Sequence, residues 1–567
     1  MKREYNLVEF FSGIGSQAKA LKNLGVHINT LGTCEWDVHA IVAYDLIHTS
    51  GKISDEIQSL EKEDLLNLLK NYTFSNSGKA ALDYSSLRTY SVDSLRRIYA
   101  SILRNHNSVD ISQLQGKDMP NGVDLLTYSF PCQDLSNVGA FHGYNKGIDK
   151  DSGSRSSLLW QVGRILTEMK EINKPLPRFL LMENVPTLLS ERHIANFKTW
   201  ISDLAALGYT GRWFQLNASS FGLPQNRPRL LMISVFVGND KKCKTLVEKY
   251  LYSKTENDVI LEYCKSKYYH KYSVADLLRI NYENPKILEE AIECTPNDTE
   301  SRRKIWEENP QLVLKGNVVN DAFSEIRTIT TKQDRNPNSG NLYFESGIQG
   351  RSNFRYLTPR ECMLFMGFTD ADYRKLKNNN IEFHKGDALF ARDKVIRMAG
   401  NSIPVKLLEG VFYQILQLDS LLGEYKRFTA QNSLMPEKKN DASYIIRSYM
   451  FSQGIRSRPT NEPYPMDASI VYPKYKTAIY IKKCFLDCQN GADCTLSHDH
   501  VLLVENDDTV DVSQSTRMGW NAIVISHCDL RNDVRLDTLS WIEQCVRQGS
   551  RNSQESEGKV YIHGGCS

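Results

Sequence analysis

The stretch Val123-Asp124-Leu125-Leu126-Thr127-Tyr128-Ser129-Phe130-Pro131-Cys132-Gln133 is an apolar-rich segment that runs straight into a cysteine held by a proline. Its first six residues read as a strand, and the proline restricts the backbone that follows. A thiol leaving a strand end with little freedom to reposition suits a cysteine nucleophile. The same run suits a structural cysteine buried at a strand end, because free cysteine is commonly buried. The rest of the chain decides between the two.

Upstream, Tyr5 to Phe11 reads as a buried strand, followed by Ser12-Gly13-Ile14-Gly15-Ser16 and the helical pattern Ala18, Leu21, Leu24. Strand, glycine turn and helix make a nucleotide-type cradle, since glycines admit a ligand to the backbone and a helix N-terminus favours an anion. A second apolar segment, Ile28 to Thr33, ends at Cys34-Glu35-Trp36-Asp37. A carboxylate at that strand end can accept ribose hydroxyls, and the tryptophan offers a face to adenine or simply packs in the core. Asp110, in Val109-Asp110-Ile111-Ser112-Gln113, supplies another carboxylate ahead of the cysteine strand. Between them, at about 50–108, Leu60, Leu65, Leu66 and Leu69 and then Leu95, Ile98, Ile102 and Leu103 recur at helical spacing, which predicts an inserted helical elaboration.

Downstream, Asp134 to Arg155 is rich in Gly, Ser, Asn and Asp and reads as a loop beside the cysteine. A helix from Leu158 to Ile172 leads into the apolar strand Phe179 to Val185, which delivers Glu183 at its end. The polar run from Leu216 to Arg229 then feeds Leu230 to Val235, and the alternation of Arg227 and Arg229 predicts that they share one face of that strand. The pattern is that of an α/β, Rossmann-like fold.

With 567 residues, two or three domains are expected. A 41% hydrophobic and 24% charged composition is that of a globular protein, and no apolar run is long enough to span a bilayer. The first residues pass into a strand too short for a secretory signal, so a cytoplasmic protein is expected. The net charge of +3 neither requires nor excludes nucleic acid. Six of twelve cysteines lie between Cys484 and Cys566, which predicts a separate C-terminal unit.

These blocks, together with Phe354-Arg355-Tyr356-Leu357-Thr358-Pro359-Arg360-Glu361-Cys362, Met366-Gly367-Phe368 and Ala399-Gly400-Asn401-Ser402-Ile403-Pro404, resemble the bacterial DNA cytosine-5 methyltransferase family from Asn6 to about Leu418. The resemblance implies a Rossmann-like S-adenosylmethionine-binding domain over 1–238, an inserted target-recognition domain over 239–350 and a return to the catalytic domain over 351–424. It implies S-adenosylmethionine as methyl donor, with contacts at Phe11, Ser12, Gly13, Gly15, Glu35, Trp36, Asp110, Asn401 and Ser402. Cys132 becomes the nucleophile that adds at C6 of cytosine, which makes C5 reactive. Glu183 protonates N3, Arg229 holds O2, and Arg227 positions the backbone near the nucleophile. The resemblance further implies double-stranded DNA as substrate, flipping of the target base behind a closing 134–155 loop, action as a monomer and a cognate restriction endonuclease in a bacterial cytoplasm. Transfer to RNA is the alternative with the same chemistry.

From Gly238 to about Arg351 the strand-helix alternation is lost. Lys265, Lys267, Tyr268, Tyr269, His270, Lys271 and Tyr272 interleave basic and aromatic residues, and Thr328 to Arg335 adds polar side chains suited to base edges. The last part, 440–567, resembles very-short-patch-repair endonucleases, a small α/β fold, over about Ser443 to Ser550. Its metal-binding Asp falls at Ser469, however, and the pair after Cys484-Phe485 is Leu486-Asp487, which implies lost nuclease chemistry. Asp467, two residues away, is the alternative ligand, and a tail that still cuts mismatched duplex is the rival reading. Cys484, Cys488, Cys494 and Cys528 are candidate ligands of a structural zinc, leaving DNA binding or domain support as the tail's role.

Overall fold

The computed structural model describes residues 4–131, 155–334, 337–433, 442–458, 468–482, 512–530, 535–549 and 558–562. They belong to two compact units, Met1–Lys426 and Arg427–Ser567. Cys132, Asp467, Cys484, Cys488, Cys494, the loop 134–154 and the side chain of Cys528 lie outside the described residues. Among the described residues, no group of three or more His, Cys, Asp or Glu side chains could hold a metal ion, and no helix is long and apolar enough to cross a membrane.

The first seven strands of the first unit are β1 (Glu4–Phe10), β2 (His27–Cys34), β3 (Leu125–Tyr128), β4 (Phe179–Asn184), β5 (Tyr209–Asn217), β6 (Gln225–Asn226) and β7 (Pro228–Phe236). Six of them form one sheet in the order β2-β1-β3-β4-β7-β5. β1 pairs in parallel with β2 and β3, and β3 with β4, whereas β7 is antiparallel to both β4 and β5. The connection from β1 goes first to one side and then, through β3, to the other. The crevice between two such neighbours, at the carboxyl ends of the strands, is where open α/β sheets bind ligands.

Alternation along the strands sets the core. Leu7, Leu125, Phe179, Leu181, Leu231 and Ile233 enter one apolar cluster, while Val8, Leu126, Leu180, Met182, Leu230 and Met232 enter the other. Both faces are covered, so β3 and β4 are buried along their whole length and read as continuous apolar runs. Helices Leu159–Glu171 and Ile194–Leu207 cover the second face, with Trp200 fully buried there. The first face receives α1 (Ser16–Asn23), α2 (Val38–His48) and helices between residues 55 and 104, the longest of them Val92–Arg104.

The interval 239–350 contains helices as well as short strands. Helix Lys241–Tyr252 starts on an Asp240 cap and buries Cys243, Val247 and Leu251 at intervals of four. Its strand Ile326–Arg327 pairs with β6, and Val247, Tyr263, Leu312 and Ile329 join the apolar cluster of the sheet. The interval therefore packs within the first unit. Tyr268, Tyr269 and Tyr272 are half-buried against that cluster, while Lys265, Lys267, His270 and Lys271 are exposed. Gln333 is buried, with its side-chain oxygen accepting from Ser339 Oγ at 2.6 Å, so it is engaged internally.

The block from Phe354 to Phe368 owes its sequence to packing. Thr358 and Glu361 form a capping box at the start of helix Pro359–Phe365, and Glu361 also takes both outer nitrogens of Arg355 at 2.8 Å. Both side chains are fully buried. Burial alone would raise the Glu361 acid, but the Arg355 guanidinium and the N–H groups of Arg279 and Thr358 hold it below the usual carboxylate range. Arg360 also pairs with Glu290 through two bonds, from Nε at 2.9 Å and Nη2 at 2.8 Å.

The second unit holds a four-stranded sheet in the order Ile470–Tyr472, Thr477–Lys482, Asn521–Ser526, Val560–Ile562. The first pair is antiparallel and the other two are parallel. Helices Ala442–Ser452 and Arg535–Gly549 contribute Ile446, Met450, Ile542 and Val546 to its core. Ser469 is occupied in the fold, its hydroxyl accepting the Ile481 N–H at 3.2 Å.

Replacing Arg355 by Leu strands the Glu361 charge in a dry interior. A loss of about 3–5 kcal/mol in the stability of the first unit is expected, read from the urea midpoint. An unchanged midpoint would remove the pair from the account of the fold.

Candidate active site

The carboxyl ends of the parallel strands converge at one edge of the sheet. Because β7 runs the opposite way, its first residues reach the same edge, where Leu230 pairs with Asn184 at the end of β4. That register brings Arg229 to Glu183: the guanidinium Nε lies 2.9 Å from the carboxylate, and both side chains are about nine-tenths buried. The other carboxylate oxygen accepts from Ser129 Oγ at 2.5 Å. Glu183 is thus held between a cation and a hydroxyl three residues before Cys132.

The approach to Cys132 is fixed residue by residue. Asn184, buried beside Glu183, donates to the Phe130 carbonyl at 3.0 Å, and Ser156 Oγ donates to the Pro131 carbonyl at 2.6 Å. Neither Asn184 nor Ser156 stands out in the sequence. The adjacency of Asn184 to Glu183 at a strand end was the only signal available.

Arg227 departs from the expected alternation. It precedes β7 instead of lying within it, and its side chain leaves Arg229 for three backbone carbonyls: Ile329 and Ser402 at 2.9 and 2.8 Å, and Gly400 at 2.8 Å. The backbone it fastens is that of residues 329, 400 and 402. At 2% exposure the guanidinium joins three segments far apart in the chain.

The second group of predicted residues surrounds the turn after β1. Phe11, Gly13 and Gly15 all have positive φ, a conformation that only the glycines adopt without strain. A Cβ on Gly15 would lie 2.2 Å from the His48 ring, whereas at Gly13 a Cβ would meet nothing within 4 Å. Ser12 is buried. The Gly13 N–H donates to one Glu35 carboxylate oxygen at 2.9 Å and the Asp37 N–H donates to the other at 2.8 Å. Burial and then the neighbouring Asp37 carboxylate push the Glu35 acid up to about 7, against those hydrogen bonds. Cys34, beside it, is buried with its thiol pushed well up by burial, which makes it an inert core thiol.

Trp36 is half-buried at the edge of the apolar cluster. Asp37 caps α2 and pairs with Arg397 at 2.7 Å, on the helix Arg392–Asn401. That helix ends at the exposed Asn401, and Ser402 is its buried C-cap. The ion pair, between residues not singled out beforehand, ties the end of β2 to the Asn401-Ser402 segment. Asp110 lies on a turn, its carboxylate accepting from Ser112.

Gly400 meets the backbone of Thr330 so closely that an added Cβ would lie 2.7 Å from its carbonyl. Gly400→Ala is expected to destabilise the first unit by about 1–3 kcal/mol, since backbone cannot rotate out of the way. Thermal unfolding checks this, and an unshifted midpoint would show that the contact yields.

The sequence profile of C-5 cytosine-specific DNA methylases matches residues 91–417. The chain is 30% identical over 416 residues to the type II methyltransferase M2.ScrFI of Lactococcus lactis subsp. cremoris, an alignment covering 72% of this chain and 98% of that one. It is 31% identical over 427 residues to the orphan methyltransferase M.SssI of Spiroplasma monobiae, covering 73% and 97%. Among solved structures, the S. pombe Dnmt2 methyltransferase aligns with a TM-score of 0.44 at 16% identity, over 73% of this chain and 99% of that one. The chain belongs to the C-5 cytosine-specific DNA methylase family and is a C-5 cytosine-specific DNA methyltransferase.

Proposed function

We propose that the first unit methylates C5 of a cytosine flipped out of duplex DNA at a specific sequence, with S-adenosylmethionine as methyl donor, as the modifying half of a restriction-modification system. The observation that carries this reading is the Ser129–Glu183–Arg229 cluster directly before Cys132. In the proposed cycle the Cys132 thiolate bonds to C6 of the ring while Glu183 supplies a proton at N3 and Arg229 holds O2. Electron density arriving at C5 makes that carbon the attacking atom. Once C5 carries the methyl group, loss of the C5 proton to solvent, return of the N3 proton to Glu183 and cleavage of the sulfur–C6 bond restore the aromatic ring, the carboxyl group and the thiolate. The two buried donors on the Phe130 and Pro131 carbonyls keep those two residues from drifting.

The donor supplies an electrophilic methyl group on a sulfonium centre. Glu35 would accept its ribose hydroxyls, Trp36 would cover the base, and Phe11, Ser12, Gly13, Gly15, Asp110, Asn401 and Ser402 would complete the site. The open space at Gly13 and the enclosed Glu35 carboxylate fit such a ligand. The C-terminal unit is assigned to DNA binding or support, with no cleavage of its own. A methyltransferase without a partner nuclease is the second reading, favoured by the likeness to an orphan enzyme.

Expression of the whole chain in cells free of cytosine methylation, followed by bisulfite mapping, is expected to show one short motif fully modified. Cys132→Ala is expected to erase that pattern while still binding S-adenosylmethionine; surviving methylation would displace Cys132 from the mechanism. Glu35 sets a pH dependence. With its acid at about 7 it is protonated below that pH and loses acceptor capacity, so donor affinity is expected to tighten as pH rises from 6 to 8. Titration calorimetry at several pH values checks this, and Glu35→Gln should flatten the profile.

A further inference from the structure

The helical insertion has so far only filled one face of the sheet, yet its last residues are built around Glu35. Asn107, 5% exposed, accepts the Glu35 N–H on Oδ1 at 3.0 Å and returns Nδ2 to the Glu35 carbonyl at 3.0 Å. The same Oδ1 accepts the Val109 N–H at 3.1 Å. Only one orientation of the amide satisfies all three bonds. Glu35 is therefore held at both ends, its backbone by Asn107 and its carboxylate by the N–H groups of Gly13 and Asp37.

The neighbouring backbone shows what the clamp restrains. Val109 is buried and has φ 61°, a left-handed conformation that a β-branched residue adopts only under strain. Its N–H is the one bound by Asn107, and Asp110 follows it directly. The segment is fastened to β2 as well, with the Ser108 N–H on the Thr33 carbonyl at 2.9 Å and Thr33 Oγ1 on the Asn105 carbonyl at 3.3 Å. Asn105 continues inward to Asp45 of α2 at 3.0 Å.

We propose that Asn107 is a positioning residue of the methyl-donor site: it fixes the backbone of Glu35 and the strained Val109 turn that aims Asp110, which makes the helical insertion a buttress of that site. The inference rests on the reading of Glu35 and Asp110 as donor contacts. A side chain serving only stability would satisfy the same three groups without affecting the ligand. The two roles separate in kinetics.

In the full-length enzyme, Asn107→Ala is expected to raise Kd and KM for S-adenosylmethionine about tenfold or more, with KM for DNA unchanged. Leu95→Ala, in the core of the same insertion, is the stability control. It should lower the unfolding temperature and leave KM for the donor unchanged. Adding Val109→Gly to Asn107→Ala should restore part of the affinity, because glycine takes the left-handed conformation without the clamp. Asn107→Asp, equal in shape but lacking the donor to the Glu35 carbonyl, serves if the alanine variant is insoluble. Donor binding by Asn107→Ala within twofold of wild type, while Glu35→Ala loses it, would overturn the positioning role. An equal rise in KM in Leu95→Ala would do the same. If Glu35→Ala also binds normally, the reading of the donor site itself fails, and the clamp fails with it.

Discussion

The antiparallel pairing of β7 with β4 decides what the rest of this sheet edge can be. Three parallel pairings bring the ends of β1, β2, β3 and β4 to one side of the sheet, but parallel strands deliver only their last residues there. The reversed strand delivers its first. Arg229 therefore enters a site otherwise made of strand ends, two residues before Leu231, which lies opposite Glu183, and its side chain reaches that carboxylate. Two opposite charges so nearly buried need each other, because removing either leaves the other without compensation. The Ser129 hydroxyl then fixes the carboxylate against the segment that follows β3.

Around that edge the fold repeatedly uses side chains to fasten backbone. Arg227 takes three carbonyls, Asn184 and Ser156 take one each, and Asn107 satisfies three backbone groups. Loops at the end of a sheet lack the ladder that holds strands in place, and their buried N–H and C=O groups still require partners. Charged or amide side chains with several donors meet that need at one stroke. The same arrangement gives the site its precision, since functional groups need supports whose own positions are settled.

Much of the first unit was legible in the sequence because β3 and β4 are buried on both faces and carry unbroken apolar runs. Glu183 stood out as the charge that ends such a run, and the glycines after β1 marked their turn. The helices of 239–350 were less visible, because Cys243, Val247 and Leu251 keep their spacing of four among lysines and tyrosines that mask it. Arg227 and Arg229 were read with a strand's period of two, but the strand begins between them, at Pro228. Asn107 was unreadable for a more general reason. A polar residue becomes a clamp only through burial beside segments distant in sequence, and no local pattern carries that.

The absence of a side chain at Gly400 has a wider meaning. Thr330 lies against its backbone, and Arg227 binds the carbonyls on either side of that contact. A segment of the interval 239–350 and the segment holding Asn401 and Ser402 thus form one mechanical body. Any ligand that shifts the backbone at 329–331 must work against whatever occupies 400–402. By thermodynamic linkage the reverse holds with equal free energy. The coupling is the same whichever ligand arrives first.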